Sequence, residues 1–199
     1  MQKKRPRSPQ HFAGLPPLVG TSPKILILGS CPSVISDARK QYYGNPQNHF
    51  WDLLRSHVYG IPRVNLVDHY AVLCQSLTDA GIALWDSLAS CDRQGSSDGS
   101  IENTVLNDLT GFLAKYPSIN TVAFNGASAA KYGLLHLNEG RKSTERWKVG
   151  DTLCFSRSGT KQRVRLVLLP SSSAAHAAMT REAKSAAWGT ILRDAGVQN

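Results

Sequence analysis

The chain alternates short apolar runs with amphipathic stretches. Lys24 to Leu28 is almost continuously apolar and ends at Gly29, which suits a strand buried on both faces. After Pro46, the segment Asn48 to Val58 puts Phe50, Trp51, Leu54 and Val58 on one face at helical spacing, with Asn48 near the amino-terminal cap. A second amphipathic helix is predicted over Leu66 to Ala80, closed by Gly81 ahead of the strand Ile82 to Trp85. The pattern continues with a loop at Gly95 to Gly99, a helix at Asn107 to Tyr116, a strand at Asn120 to Phe124 and a helix at Ala127 to Leu135. Arg141 to Gly150 reads as loop, and strands follow at Thr152 to Ser156 and Val164 to Leu169. Pro170 ends the last strand and opens a Ser-rich loop before a final helix from Thr180 to Asp194.

Alternating strands and helices with strongly apolar strands predict a three-layer α/β/α domain around a mainly parallel sheet of four to five strands. Ligands of such sheets sit beyond the carboxyl ends of the strands. Gly29 to Ser33, Trp85 to Asp86, Asn125 to Gly126 and Pro170 to His176 should therefore converge. At 199 residues the chain suits one core, so residues 23–199 are expected to form a single domain behind a flexible basic arm, residues 1–22. That arm carries Lys3, Lys4, Arg5 and Arg7 without a following apolar run, and no stretch reaches membrane-spanning length.

Composition narrows the partner. The formal net charge is +9, which favours polyanions, and Arg141, Lys142, Arg146, Lys148, Arg157, Lys161, Arg163 and Arg165 crowd one stretch, as a surface facing phosphates would. The four cysteines, Cys31, Cys74, Cys91 and Cys154, include no Cys-x-x-Cys pair and read as reduced thiols of a cytosolic protein with no metal site.

Four segments carry candidate chemistry. The turn Gly29-Ser30-Cys31-Pro32-Ser33 can aim backbone amides at a phosphate or a base, or simply turn the chain. The run Tyr42 to Trp51 is dense in aromatics and amides able to stack on an extruded base; Trp51 is expected in the core and one tyrosine, with Phe50, at the pocket. Within it Asn48 either orients a water or caps a helix. Asn125 offers a donor and an acceptor to a base edge, or serves as a turn residue before Gly126. Ser171, Ser172, Ser173 and His176 suit close approach to a DNA backbone. Asp86 reads foremost as a cap and Asp98 as a pocket-lining residue.

The ordered motifs Gly29-Ser30-Cys31-Pro32-Ser33, Tyr42-Tyr43-Gly44-Asn45-Pro46-Gln47-Asn48-His49-Phe50-Trp51, Gly81 to Asp86, Phe124-Asn125-Gly126 and Leu169-Pro170-Ser171-Ser172-Ser173 together resemble the hypoxanthine-DNA glycosylases of the uracil-DNA glycosylase superfamily. The resemblance covers about residues 24 to 195. It implies a monofunctional enzyme that flips a deaminated base from DNA and hydrolyses its N-glycosidic bond without a cofactor or metal, hypoxanthine leading and uracil or xanthine as alternatives. It gives the water-positioning role to Asn48, contacts to base or sugar to Ser30 to Ser33, base reading to Asn125 and the grip on the damaged strand to Ser171 to His176; together with the residue readings, catalysis is expected of Asn48 and Ser30, base contacts of Gly29, Cys31, Pro32, Ser33, Tyr43, Phe50 and Asn125, and strand contacts of Ser171, Ser172, Ser173 and His176. The chain departs from many relatives at Cys31, Asn45 and Ala174. A cytoplasmic monomer acting on DNA, not on membranes, is expected. With Asn48 positioning water and no titrating base, the rate should depend only weakly on pH near neutrality. Two rivals stand beside this reading: a Ser hydrolase built on Ser30 and His176 with Asp86 as orienting group, and a non-catalytic binder of damaged DNA.

Overall fold

A computed structural model describes residues 9–94, 98–137, 147–156, 162–176 and 178–197. Its frame is a five-stranded sheet of order β3-β2-β6-β8-β7, formed by β2 (Ile25–Gly29), β3 (Ile82–Asp86), β6 (Thr121–Asn125), β7 (Thr152–Ser156) and β8 (Arg163–Leu169). The first four in that order run parallel, and β7 closes one edge antiparallel to β8.

Alternation along the strands sorts the two faces. In β2, Ile25 and Ile27 meet one layer while Leu26 and Leu28 meet the other. The first layer holds α2 (Phe50–Arg55), α3 (Tyr70–Asp79) and α6 (Arg181–Asp194), packed through Leu54, Leu77 and Trp188. The second holds α4 (Leu109–Lys115) and α5 (Ala127–Leu137), packed through Leu113 and Leu134. The expected three-layer sandwich with a mainly parallel sheet is what forms.

Four features depart from expectation. First, a small antiparallel sheet of order β1-β4-β5 adjoins the main one, made of β1 (Gln10–Ala13), β4 (Leu88–Arg93) and β5 (Glu102–Leu106). β4 follows β3 after Ser87 alone, so the chain passes directly from one sheet to the other.

Second, the region expected as a flexible arm to residue 22 is part of the fold from residue 10. Phe12 pairs with Cys91 in register, Leu15 is buried in the core, and Leu18 exchanges backbone hydrogen bonds with Leu84 at 2.9 and 2.8 Å. Residues 1–8, with the basic cluster of the arm, lie outside the described residues.

Third, Cys31 and Cys91 are joined as a disulfide across 60 residues, because β4 returns beneath the loop after β2 and brings two buried sulfurs together. Cys74 and Cys154 are free, as expected. A further short helix, α1 (Val34–Arg39), replaces part of the anticipated polar loop and is capped by the Ser33 hydroxyl accepting from the Ser36 N–H.

The sheet order fixes where a site can sit. From β2 the chain crosses to β3 on one side, and later enters β6 on the other side of β2, so the strand order reverses at β2. A crevice must open beyond Gly29.

Candidate active site

A cleft of about 640 Å³ opens at the carboxyl ends of the parallel strands. Its walls come from the loop after β2, the Tyr42–Asn48 segment, the end of β3, the start of α5 and the Ser171–His176 loop. The four strand ends predicted to converge do so, with one division of labour at β3. Trp85 turns into the second helical layer against Phe112, ring centroids 4.9 Å apart, while Asp86 turns into the cleft.

Gly29, Ser30, Cys31, Pro32 and Ser33 all line the cleft. At Gly29 a Cβ would stand 2.5 Å from the Asp86 Oδ1 and 3.4 Å from the Tyr43 hydroxyl, so only glycine lets those groups close over the strand end. The loop beyond it is held by Arg93, 2% exposed on β4, whose Nη1 donates to the carbonyls of Pro32 at 3.1 Å and Cys31 at 3.4 Å. Its Nη2 reaches Asp98 Oδ1 at 3.4 Å, and Ser30 Oγ donates to the same oxygen at 3.3 Å. Asp98 thus lines the cleft as expected, while Arg93 had no local signal in the sequence.

Tyr43 adopts φ +53 and stacks on Phe50 with centroids 3.7 Å apart. Phe50, expected to touch the base, is fully buried beneath Tyr43 and does not line the cleft; the first turn of α2 points it into the core beside Trp188. Trp51 is core, as expected. Tyr42 and Tyr43 both line the cleft, and burial pushes both phenols well above the ordinary tyrosine range.

Asn48 lines the cleft, and its Oδ1 accepts from the Phe50 N–H at 2.9 Å. The oxygen thus fixes the chain just ahead of α2, whose N-cap is His49, while the residue itself lines the cleft.

Asn125 and Ser172 form a reciprocal pair. Asn125 Nδ2 donates to Ser172 Oγ at 2.8 Å, and the Ser172 N–H donates to Asn125 Oδ1 at 2.8 Å. Ser172 is 1% exposed, and its carbonyl accepts from the His49 N–H at 3.0 Å. Ser172 consequently knits three cleft segments together and lines the cleft while exposing little of its own surface. Ser171, Ser173 and His176 also line the cleft in a turn secured by Lys184 Nζ, which donates to the Ser173 carbonyl at 3.2 Å, and by Trp188 Nε1, which donates to the Pro170 carbonyl at 3.0 Å.

Asp86, read from the sequence foremost as a cap, instead lies in the cleft wall. It is 4% exposed, and its Oδ2 has no hydrogen-bond partner among the described residues. Burial pushes its pKa from 3.8 up to about 7; the Arg93 charge opposes this and the Asp98 charge adds to it.

This fold has counterparts among known proteins. Residues 16–195 match the family model described as the uracil DNA glycosylase superfamily. The chain belongs to that superfamily. Among curated relatives, a hypoxanthine DNA glycosylase of Methanosarcina acetivorans is 38% identical over 120 residues, 60% of this chain and 73% of the relative. A protein of the same name from Methanosarcina barkeri is 34% identical over 119 residues, with the same shares. Among solved structures, a solution NMR structure of a candidate uracil DNA glycosylase from Methanosarcina acetivorans superposes with a TM-score of 0.69 at 29% identity, covering 94% of this chain and 99% of that one.

Proposed function

We propose that this superfamily member is a monofunctional DNA glycosylase that takes a deaminated base, hypoxanthine first among them, flipped out of DNA, and hydrolyses its N-glycosidic bond to leave an abasic site. The observation that carries the reading is the single cleft: it unites the Gly29–Ser33 turn, Asn48 and the Ser171–His176 loop within a volume suited to one extruded nucleotide, about 640 Å³.

The bond to be broken joins the deoxyribose C1′ to a ring nitrogen. Its electron pair leaves with the base, the sugar acquires oxocarbenium character, and water supplies hydroxide to C1′ and a proton that neutralises the departed base. The site must therefore favour positive charge at the sugar and negative charge at the base. Flanking phosphates favour the first. For the water, Asn48 offers a neutral, fixed amide at the cleft wall, so it contributes orientation more than basicity. The amides of the turn after Gly29 face the base, and Ser171, Ser173 and His176 receive the backbone of the damaged strand. The enzyme acts as a monomer on DNA in the cytoplasm and needs no cofactor for this hydrolysis. No helix among the described residues is long and apolar enough to cross a membrane.

The Ser hydrolase arrangement finds no support, since Ser30 Oγ donates to Asp98 and makes no hydrogen bond to His176 among the described residues. A duplex carrying one deoxyinosine, incubated with the protein and then treated with alkali, tests the proposal. Strand scission only after alkali is the expected result, with uracil and xanthine duplexes giving the rank order. Binding without scission on all three duplexes would leave the protein a damage binder and end the enzymatic reading.

A further inference from the structure

Asp86 sits where the main sheet delivers a side chain into the cleft, opposite Gly29 in the β2–β3 register. Among the described residues, none forms an ion pair with it. Arg93, the nearby cation, has its Nη atoms engaged by the Cys31 and Pro32 carbonyls and by Asp98, and its buried Nε makes no hydrogen bond to Asp86 among the described residues. The other groups facing Asp86 are Asp98 from the turn after β4, Tyr42 and Tyr43 from the segment before α2, and Tyr70 from α3; none of them brings a positive charge. An ionised carboxylate, buried and unpaired, is costly there, and the neutral acid is the form such a site stabilises.

A neutral carboxyl group has one O–H donor and one C=O acceptor side by side. Deamination gives a base a lactam edge, a ring carbonyl next to a ring N–H, and the two edges match through a pair of antiparallel hydrogen bonds. Asn125, the residue expected to read the base, has its carbonyl oxygen and one N–H already bound to Ser172. Among the described residues, the Oδ2 of Asp86 is without a partner.

We propose that Asp86 is a catalytic residue that contacts the extruded base: as a neutral acid it donates its O–H to the ring carbonyl and accepts from the adjacent ring N–H. The donated bond strengthens as the base departs with the glycosidic electron pair, so it favours the transition state over the bound substrate. No proton need leave Asp86 for this to operate. The assignment rests on the glycosylase reading and replaces the weak pH dependence expected from Asn48 alone: the rate should fall once Asp86 loses its proton, around pH 7.

The test is single-turnover cleavage of a deoxyinosine duplex by the full chain, wild type, Asp86→Asn and Asp86→Ala, from about pH 6 to 9. Affinity is measured in parallel on the same duplex with a 2′-fluorinated sugar that resists hydrolysis. The wild-type rate should decline above neutrality, approaching tenfold per pH unit. Asp86→Asn keeps a donor and an acceptor but cannot ionise, and its profile should be flat. Asp86→Ala should lose about 100-fold near pH 6.5 while affinity for the fluorinated duplex stays within about threefold, because phosphate contacts dominate binding. Parallel wild-type and Asp86→Asn profiles, or a full rate in Asp86→Ala, would overturn the role of Asp86. Failure of the wild type on deoxyinosine, uracil and xanthine duplexes would instead overturn the glycosylase reading itself. Should Asp86→Ala not fold, the near-isosteric Asp86→Asn profile decides the question alone.

Discussion

Asn48 shows how one side chain serves both architecture and chemistry. Its oxygen accepts the Phe50 N–H at 2.9 Å and so fixes the chain entering α2, which also holds the amide at the cleft wall. Asn48→Ala should therefore reduce single-turnover cleavage by about 100-fold or more through loss of the oriented water, while affinity for the fluorinated duplex changes little. An unchanged rate would take Asn48 out of the mechanism. Asp86 has a stability consequence separable from catalysis. Its folded pKa of about 7 lies above the ordinary 3.8, so between those values the folded state binds more protons than the unfolded chain. Stability is thus lost as pH rises through the folded value, by an amount on the order of 4 kcal/mol once the group is fully ionised. Thermal melts should show Asp86→Asn gaining on the wild type as pH rises from about 5 to 8; equal slopes would mean that the carboxyl is not desolvated. None of this was legible locally, because an Asp at a strand end looks like any cap. Its distinction comes from Gly29, β4 and α3, which meet it only in three dimensions.

Elements with a strong period were readable, and those without one were not. β7 falls where expected, at Thr152–Ser156, and α6 begins one residue after its predicted start because Thr180 is the cap, its hydroxyl accepting from the Ala183 N–H at 3.2 Å. α3 was anticipated from Leu66 but starts at Tyr70, since Asn65 Oδ1 takes the Val67 N–H at 2.8 Å and sets a turn there first. β5 escaped notice because Glu102 to Val105 are all exposed and show no alternation; backbone pairing to β4 alone makes it a strand. The tightest joint between elements is also invisible to periodicity. Ser172 links the end of β6, through Asn125, to the residue before α2, through His49. Ser172→Ala leaves the half-buried Asn125 Nδ2 without this acceptor and should lower unfolding free energy by about 1 kcal/mol in denaturant titrations. If its stability matches wild type, the joint carries less than this geometry implies.

At the scale of the molecule, charge was read correctly in amount and imperfectly in place. The sequence clusters eight cations, but Arg163 and Arg165 lie at the amino end of β8, away from the cleft, and Arg165 pairs with Asp194 at 2.9 Å. Lys148 lies nearer the cleft end, where Gly150 N–H donates to the Leu168 carbonyl at 2.9 Å. Arg141, Lys142, Arg146, Arg157 and Lys161 fall outside the described residues. Binding to DNA should weaken steeply with salt, and Arg165→Ala should leave that slope unchanged in anisotropy titrations. A slope reduced by about one would put Arg165 on the phosphate track.

The course of residues 10–18 bears on how the protein should be handled. β1 pairs with β4, the strand that carries both Arg93 and Cys91, and the carbonyls of Leu15 and Pro16 accept from the Tyr42 hydroxyl at 3.0 and 3.1 Å. A chain trimmed to start at residue 23, as a plain reading of its proline-rich beginning would recommend, would strip a girdle from the rear wall of the cleft. The remnant would be expected to melt earlier and to hold Tyr42 less firmly, so the region that looks most dispensable on paper belongs with the machinery that receives the nucleotide.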